Sequence, residues 1–386
     1  MLESTNQWFA KSLPTHKLMH MKSKIPFVLS FICAATAAHA QNVEVFGVLD
    51  LAILHTSVTG GASVNSLSTD SNTSSRIGFR GKEDLGNGLN ASFWLEAAIS
   101  PDTGLGGSTN GNNQTSGQGS SPAGTQALTW GRRSTVSLSG NAWGEVRLGR
   151  DYVPAFNNLT VAMHPFGTNG LGNAGQMFYP VAANGITART NVRASNSIGY
   201  FLPSDMGGFN GHLMYALGEN TSDVYNANDG KHMGFRLGYK NGPWNMAIAS
   251  GTTQYTTTAK LASDYVQSNF AINYQWGPAK LMFLTNENKL GATKIKSDMV
   301  GTQYDVPTGQ VRFAYTQLTA TGVANDATQV AVGYVHDLSK RTALFTNYSV
   351  VNNKGTGKQF TVGSGNSVTT PGGTSTGYEF GIRHSF

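Results

Sequence analysis

The sequence predicts an all-β fold: a sixteen-stranded antiparallel transmembrane β-barrel with one long loop folded inward as a constriction. The chain of 386 residues has 47 glycines and only 12% charged residues, which disfavours a helical bundle and a disordered chain. Apolar and polar residues alternate with period two, as in strands that have one apolar and one polar face. Short turns and long loops also alternate, which is typical of membrane barrels.

The first forty residues are excluded from this fold. Residues 21–40, MKSKIPFVLSFICAATAAHA, contain two lysines, an apolar run and Ala38-His39-Ala40, a small-x-small cleavage pattern. The apolar run is shorter than the roughly 20 residues that a spanning helix needs. We therefore expect an N-terminal extension and a cleaved signal peptide over residues 1–40, with the signal proper at 21–40, and a barrel domain over 41–386. The single cysteine, Cys33, lies in the signal segment, so the mature chain has no disulfide.

Charge gives no support for nucleic-acid binding. The formal net charge of the whole chain is +6, and four of its lysines lie in the first forty residues. The mature chain is therefore only weakly basic, and its charges are spread thinly.

Two stretches show the alternation clearly. VEVFGVLDLAI (residues 43–53) places five aliphatic residues on one face and Glu44, Phe46 and Asp50 on the other. SRIGFRGKEDLGNGLNASFWLE (residues 75–96) separates Ile77, Phe79, Phe93 and Leu95 from Arg76, Arg80, Lys82 and Glu96. A soluble sandwich or propeller could also contain many such strands. However, sixteen strands around one axis enclose a lumen too wide for side chains to fill, which favours the membrane barrel.

The strand count comes from the connections. Short turns rich in Gly, Pro, Asn or Asp are predicted at 85–88, 140–144, 203–208, 240–243, 276–278, 307–309 and 337–341. Longer loops are predicted at roughly 55–73, 100–126, 152–190, 219–230, 256–264, 288–297, 322–326 and 352–375. Seven short and eight long connections join sixteen strands, and they leave both termini at the same rim, where the first and last strands can pair.

The third long loop, residues 152–190, is too long to be a structureless connection in a compact domain. Phe156, Leu159, Val161, Met163 and Phe166 give it an apolar surface that can pack against a wall. We expect it to fold into the lumen and narrow it. Its candidate constriction residues are Asp151, Phe156, His164 and Phe166.

The last ten residues, GYEFGIRHSF, place Tyr378, Phe380 and the terminal Phe386 on one face. We expect this strand to lie at the short-turn rim and to be recognised by the β-barrel assembly machinery. The alternative is an ordinary amphipathic edge strand.

Five ordered blocks carry a resemblance to a known family: VEVFGVLD, SRIGFRGKEDLGNGLNASFWLE, WGRRSTVSLSGNAWGEVRLGRDY, NSIGYFLPSDMGGFNG and GYEFGIRHSF. Together they span residues 41–386, and they resemble the general diffusion porins of Gram-negative outer membranes, especially the trimeric sixteen-stranded group typical of β-proteobacteria. The resemblance implies a homotrimer in the outer membrane, a third loop folded into the lumen, and passive transport of small polar solutes.

Five arginines are candidates for the basic wall of the pore: Arg76, Arg80, Arg133, Arg147 and Arg193. They share the polar face of their strands, and an arginine facing lipid near the midplane would cost about 2 to 4 kcal/mol. The resemblance implies a basic cluster at Arg76, Arg133 and Arg193, whereas Arg80 lies nearer a short turn. The alternative is that these arginines form salt bridges with Glu44, Asp50, Glu96 or Glu145.

The sequence departs from many relatives in the third loop, which in those proteins carries acidic residues opposite the arginines. Here no Asp or Glu occurs from Tyr152 through Ser204. An arginine cluster that faces a neutral loop selects for anions. We therefore expect small polar or anionic solutes to pass, with anions preferred.

Other functions are less well supported. The histidines are scattered without metal-ligand spacing and no catalytic motif stands in its usual structural context, so we expect neither enzyme activity nor a cofactor. A plugged barrel with a structural or adhesive role is the main alternative, and a sugar channel would need more inward aromatics than Phe46 and Trp94. Lys289, Lys294 and Lys296 could bridge lipopolysaccharide phosphates or simply be solvated.

Overall fold

The computed structural model describes residues 42–107, 113, 128–160, 162–173, 175–178, 188–256, 260–363 and 365–386. The expected extension and signal peptide lie outside these described residues. The described residues contain the strands β1 Asn42–Val58, β2 Val64–Thr69, β3 Arg76–Gly86, β4 Leu89–Ser100, β5 Leu105–Gly106, β6 Arg133–Gly140, β7 Gly144–Tyr152, β8 Arg193–Phe201, β9 Phe209–Ala216, β10 His232–Asn241, β11 Trp244–Thr253, β12 Tyr265–Trp276, β13 Ala279–Leu290, β14 Thr293–Val306, β15 Gly309–Thr321, β16 Ala327–Asp337, β17 Thr342–Asn353 and β18 Thr374–Ser385. They also include a 3₁₀-helix, Pro154–Leu159, and a one-turn α-helix, α1, at Gly175–Phe178.

Sixteen of these strands close into an antiparallel barrel, as predicted. The barrel closes where β1 pairs with β18, from Val48 opposite Ser385 to Val58 opposite Ser375. On its other edge β1 pairs first with β3, over Asn42–Val48, and then with β2. The short strands β2 and β5 therefore belong to the first two long loops and are additional to the barrel.

The predicted turns are confirmed at all seven short connections. The first of them shows why such turns need particular residues, since Gly86, Asn87 and Gly88 have φ angles of 87°, 53° and 77°. Glycine and asparagine adopt this left-handed region most readily.

The prediction of a long sixth loop at 288–297 is wrong. β13 and β14 continue to Leu290 and Thr293, which pair with each other across a two-residue turn in which Gly291 has a φ of 59°. The polar composition of this stretch suggested a loop, but strand ends with a polar inner face have the same composition. Two of the lysines assigned to that loop are ion-paired, Lys294 with Glu287 at 2.7 Å and Lys296 with Asp298 at 3.2 Å.

The alternation along the strands separates an apolar outer wall from a polar inner wall. Val43, Val45 and Ile53 are 55%, 54% and 68% exposed, whereas Asp50, on the other face of the same strand, is fully buried. Large apolar side chains are exposed in this way along most strands of the barrel. Among the described residues, no helix is long and apolar enough to cross a membrane.

The third long connection joins β7 to β8, and its described residues lie inside the barrel as predicted. The 3₁₀-helix packs against β9, β10, β11 and β12. Phe156, Leu159, Met163 and Phe166 are all buried. The remaining apolar residue named in the sequence analysis, Val161, lies outside the described residues. The loop therefore divides the lumen between a wall that it covers and the wall opposite.

Candidate pore constriction

A row of neutral amide side chains on the inner wall holds the loop in place. Asn269 donates to the Ala155 carbonyl at 2.9 Å, and Asn273 donates to the Ala162 carbonyl at 2.7 Å. Further donors are Gln303 to Pro165 O, Gln329 to Leu171 O, and both Asn286 and Asn288 to Phe178 O. These amide contacts hold the loop without adding charge to the pore. A charged group of the wall also takes part, since Arg236 on β10 donates to the Asn158 side chain of the loop at 2.8 Å.

The loop is also fixed beyond this row. The Leu171 N–H donates to the Glu379 carboxylate on β18 at 3.0 Å, and Asn169 donates to the Ser74 hydroxyl of the first loop at 2.9 Å. The loop therefore crosses the lumen and is anchored on both sides of the seam between β18 and β1. Such anchoring suits a fixed constriction better than a mobile lid.

His164 is buried within the loop and is uncharged. Its Nδ1 accepts a hydrogen bond from the Phe166 N–H at 3.2 Å, so the ring proton lies on Nε2, for which the described residues supply no acceptor. Burial lowers the pKa of His164 to about 3. His164 therefore adds no positive charge near neutral pH, and the sequence of the loop, residues 152–190, contains no Asp or Glu.

Opposite the start of the loop, the wall encloses a cavity of about 320 Å³. Three of the five predicted wall arginines line it, as does Asp151, and so do residues that were not predicted to belong to the constriction. Its lining consists of Arg76, Trp94, Glu96, Arg133, Arg147, Asp151, Tyr152, Asn157, Phe201 and His212. Wall and loop thus meet at this cavity, which makes it the candidate constriction.

Two of the five arginines are neutralised by close carboxylates. Arg147 makes two hydrogen bonds to Glu145, at 2.9 and 3.0 Å, and one of 2.5 Å to Asp151. Arg80 makes two hydrogen bonds to Glu44, at 2.7 and 2.6 Å. For these two residues the salt-bridge alternative describes the geometry, because bidentate pairs satisfy both charges.

The charges of Arg76 and Arg133 are less closely compensated by carboxylates. Arg76 lies 3.5 Å from Glu96, and that carboxylate is already held by Arg132 at 2.5 Å. The Arg133 Nε lies 3.9 Å from Asp151, whose carboxylate already binds Arg147. Both arginines therefore line the cavity, and for each of them the nearest acid among the described residues is held more closely by another arginine.

The place of Arg193 differs from the expected alternation. A register shift between β7 and β8 pairs Asp151 with Ala194 and Tyr152 with Arg193. Asn196, with a φ of 58°, lies at this irregularity. Arg193 donates to the Tyr152 hydroxyl at 2.8 Å and lies 4.3 Å from the centre of that ring. It supports the cavity through Tyr152 and does not itself line it.

Several residues of the site were not predicted. Arg132 precedes β6 and competes for Glu96, while Phe201 and His212 pair across β8 and β9 and stack with ring centres 4.1 Å apart. The alternation along β8 and β9 places Phe201 and His212 on the inward face, so the sequence pattern could have identified these two residues. The predicted assembly residues Tyr378, Phe380 and Phe386 are exposed on the outer wall.

The chain is similar to known proteins over most of its length. The family model described as Gram-negative porin matches residues 28–356. Outer membrane porin protein 32 of Delftia acidovorans is 35% identical over 372 residues, which cover 93% of this chain and 98% of that protein. An outer membrane porin protein of Bordetella pertussis is 27% identical, over 72% of this chain and 77% of that protein.

Among solved structures, the anion-selective porin from Comamonas acidovorans has a TM-score of 0.75 and 33% identity. The match covers 90% of this chain and 100% of that one. The closed barrel, the inward loop and these similarities agree. The chain therefore belongs to the Gram-negative porins, outer-membrane channels for passive diffusion of small hydrophilic solutes.

Proposed function

We propose that this porin prefers anions and that Arg76 and Arg133 form its charge filter. The observation that carries the proposal is the unequal pairing of the wall arginines. Arg80 and Arg147 have carboxylates at 2.7 and 2.5 Å, whereas Arg76 has only a long contact of 3.5 Å and Arg133 one of 3.9 Å. The loop segment opposite contains no acidic residue. Fixed charges at a constriction select ions of the opposite sign.

The similarity to the anion-selective porin from Comamonas acidovorans supports the proposal. Arg193 has a supporting place in it, because it holds Tyr152 at the edge of the cavity. Asp151, near the end of β7, lines the cavity, and Phe156 stacks on Tyr152 with ring centres 4.8 Å apart. Phe166 and His164 lie further along the loop.

Reversal potentials of the purified protein in a planar bilayer with a KCl gradient test the proposal. The wild-type channel should show an anion-shifted potential, and Arg76→Glu together with Arg133→Glu should reduce or invert it. A matched control, Lys240→Glu together with Lys340→Glu, makes the same change in net charge at short turns and should change the potential little. A cation-shifted wild-type value would reject anion preference, and absence of conductance would favour a plugged barrel.

We further propose that the protein acts only as a channel, as a homotrimer, after cleavage before Gln41. The resemblance of the sequence blocks supports the trimer, and the exposed apolar outer wall offers surface for lipid and for neighbouring subunits. Native mass spectrometry measures the subunit number, and N-terminal sequencing locates the cleavage. Assembly through Tyr378, Phe380 and Phe386 and contacts of Lys289 with lipopolysaccharide remain proposals of the same kind.

A further inference from the structure

Arg133 lies between an aromatic face and a carboxylate. Its Cζ is 4.5 Å from the centre of the Trp94 ring, and its Nε is 3.9 Å from Asp151 Oδ2. The same Nε donates to the Thr135 hydroxyl at 3.0 Å. The guanidinium therefore rests on the ring, and a direct bond to Asp151 would require it to move.

Trp94 is well fixed in the wall. Its indole N–H donates to Glu96 Oε2 at 3.1 Å, and Phe46 meets it edge-on with ring centres 5.0 Å apart. Within β3 and β6, its direct cross-strand partners are Arg80 and Thr135. A ring held in this way offers Arg133 a face of defined position.

The two neighbours affect the charge of Arg133 differently. An aromatic ring attracts a cation through its quadrupole but carries no net charge, so the positive charge of the pair persists. A carboxylate in direct contact would cancel that charge. Because Asp151 is the nearest acid to Arg133, the ring and the carboxylate compete for the same guanidinium.

We propose that Trp94 is a positioning residue that sets the anion preference by holding Arg133 over its face and away from Asp151. This inference rests on the proposed function, since it requires Arg133 to act in the filter. It assigns a role in ion selectivity to an uncharged residue.

The test is the anion-to-cation permeability ratio, from reversal potentials in a KCl gradient, of Trp94→Leu and Trp94→Phe. Loss of the ring should shift Arg133 towards Asp151 and lower the ratio by about two- to five-fold. This is the change in the population of the ring-bound conformer that corresponds to the loss of one solvent-exposed cation–π contact. Trp94→Phe keeps an aromatic face and should keep most of the ratio. Heat-modifiable migration on gels verifies that each barrel is folded, and Trp94→Met replaces Trp94→Leu if the leucine variant does not fold.

A second pair of variants tests the competition itself. In an Asp151→Asn background, Trp94→Leu should leave the ratio unchanged, because the competing carboxylate is gone. An anion-selective wild type with an unchanged Trp94→Leu ratio would overturn this inference alone. Equal losses in the leucine and phenylalanine variants, or the same loss without Asp151, would also overturn it. A wild type without anion preference would overturn the proposed function and this inference together.

Discussion

Gly47 and Phe386 are hydrogen-bonded to each other in both directions, and each N–O distance is 3.0 Å. The Phe386 ring occupies the space beside Gly47, where an added Cβ would lie 2.2 Å from the ring Cζ. The terminal residue thus completes the closing pair of strands at a point where the first strand has no side chain. The terminal ring lies on the outer wall because β1 leaves room for it.

Gly47→Val should weaken barrel closure. The new side chain displaces the Phe386 ring and strains the terminal pairing, so the temperature at which the folded gel band converts to the unfolded one should fall by several degrees. Leu49→Val alters the same face of β1 without adding a group beside Phe386, and it should behave much more like the wild type. Equal melting of the glycine variant and the wild type would show that the ring moves aside without cost.

The sequence predicted the strands and turns because both depend on local patterns, period-two alternation and residues suited to tight turns. It failed at 288–297 because a strand with polar inward residues has the composition of a loop. It placed Arg193 on the basic wall of the pore, because nothing in the sequence shows that Asn196 adopts a φ of 58° and shifts the register. Nor could the sequence show which arginines are closely paired. Arg76 and Arg147 both lie on the inward face of their strands, but a carboxylate approaches Arg147 more closely.

Placing an acid on the loop should reduce the anion preference. Asn157 lines the cavity, and its amide lies 3.5 Å from His212. Asn157→Asp would put a carboxylate opposite Arg76 and Arg133, so the reversal potential should shift towards the cation value, and the shift should shrink at high salt. Asn169→Asp adds the same charge where the loop contacts Ser74, and its effect should be smaller. Equal shifts in both variants would mean that net charge, and not its place at the constriction, sets the selectivity.

The amide row should determine how steadily the loop stays in place. Gln329 donates to the carbonyls of Leu171 and Asn173 at 2.9 and 3.2 Å. Gln329→Leu leaves these buried acceptors without that donor, at a cost of about 1 to 3 kcal/mol. Single-channel recordings should then show larger fluctuations of the open-channel current. Gln275→Leu is the matched control, because the Gln275 amide donates to the Gly277 carbonyl in the adjacent short turn and not to the loop. If neither variant showed larger current fluctuations, the remaining amides of the row would be sufficient to hold the loop in place.

Acidification should loosen the loop through His164. The pKa of His164 is lowered by burial to about 3, against an ordinary value of 6.5. Above pH 6.5 the imidazole is neutral whether the loop is docked or not, so docking does not depend on pH through this group. As the pH falls from 6.5 towards 3, an undocked loop takes up a proton and the docked loop does not. Docking should therefore weaken by up to about 1.4 kcal/mol per pH unit over that range.

The measurement is the frequency of channel closures between pH 7 and pH 4, in the wild type and in His164→Asn. The asparagine carbonyl can accept the Phe166 N–H that His164 Nδ1 accepts now, but it does not titrate. Closures should increase below pH 6 in the wild type and much less in the variant. His212 and His232 also face inward from the wall and are buried. If His164→Asn kept the full response to acid, its source would lie on the wall, because the loop segment opposite the cavity contains no other group that titrates in this range. The candidates would then be those two histidines and Glu379, whose carboxylate accepts the Leu171 N–H.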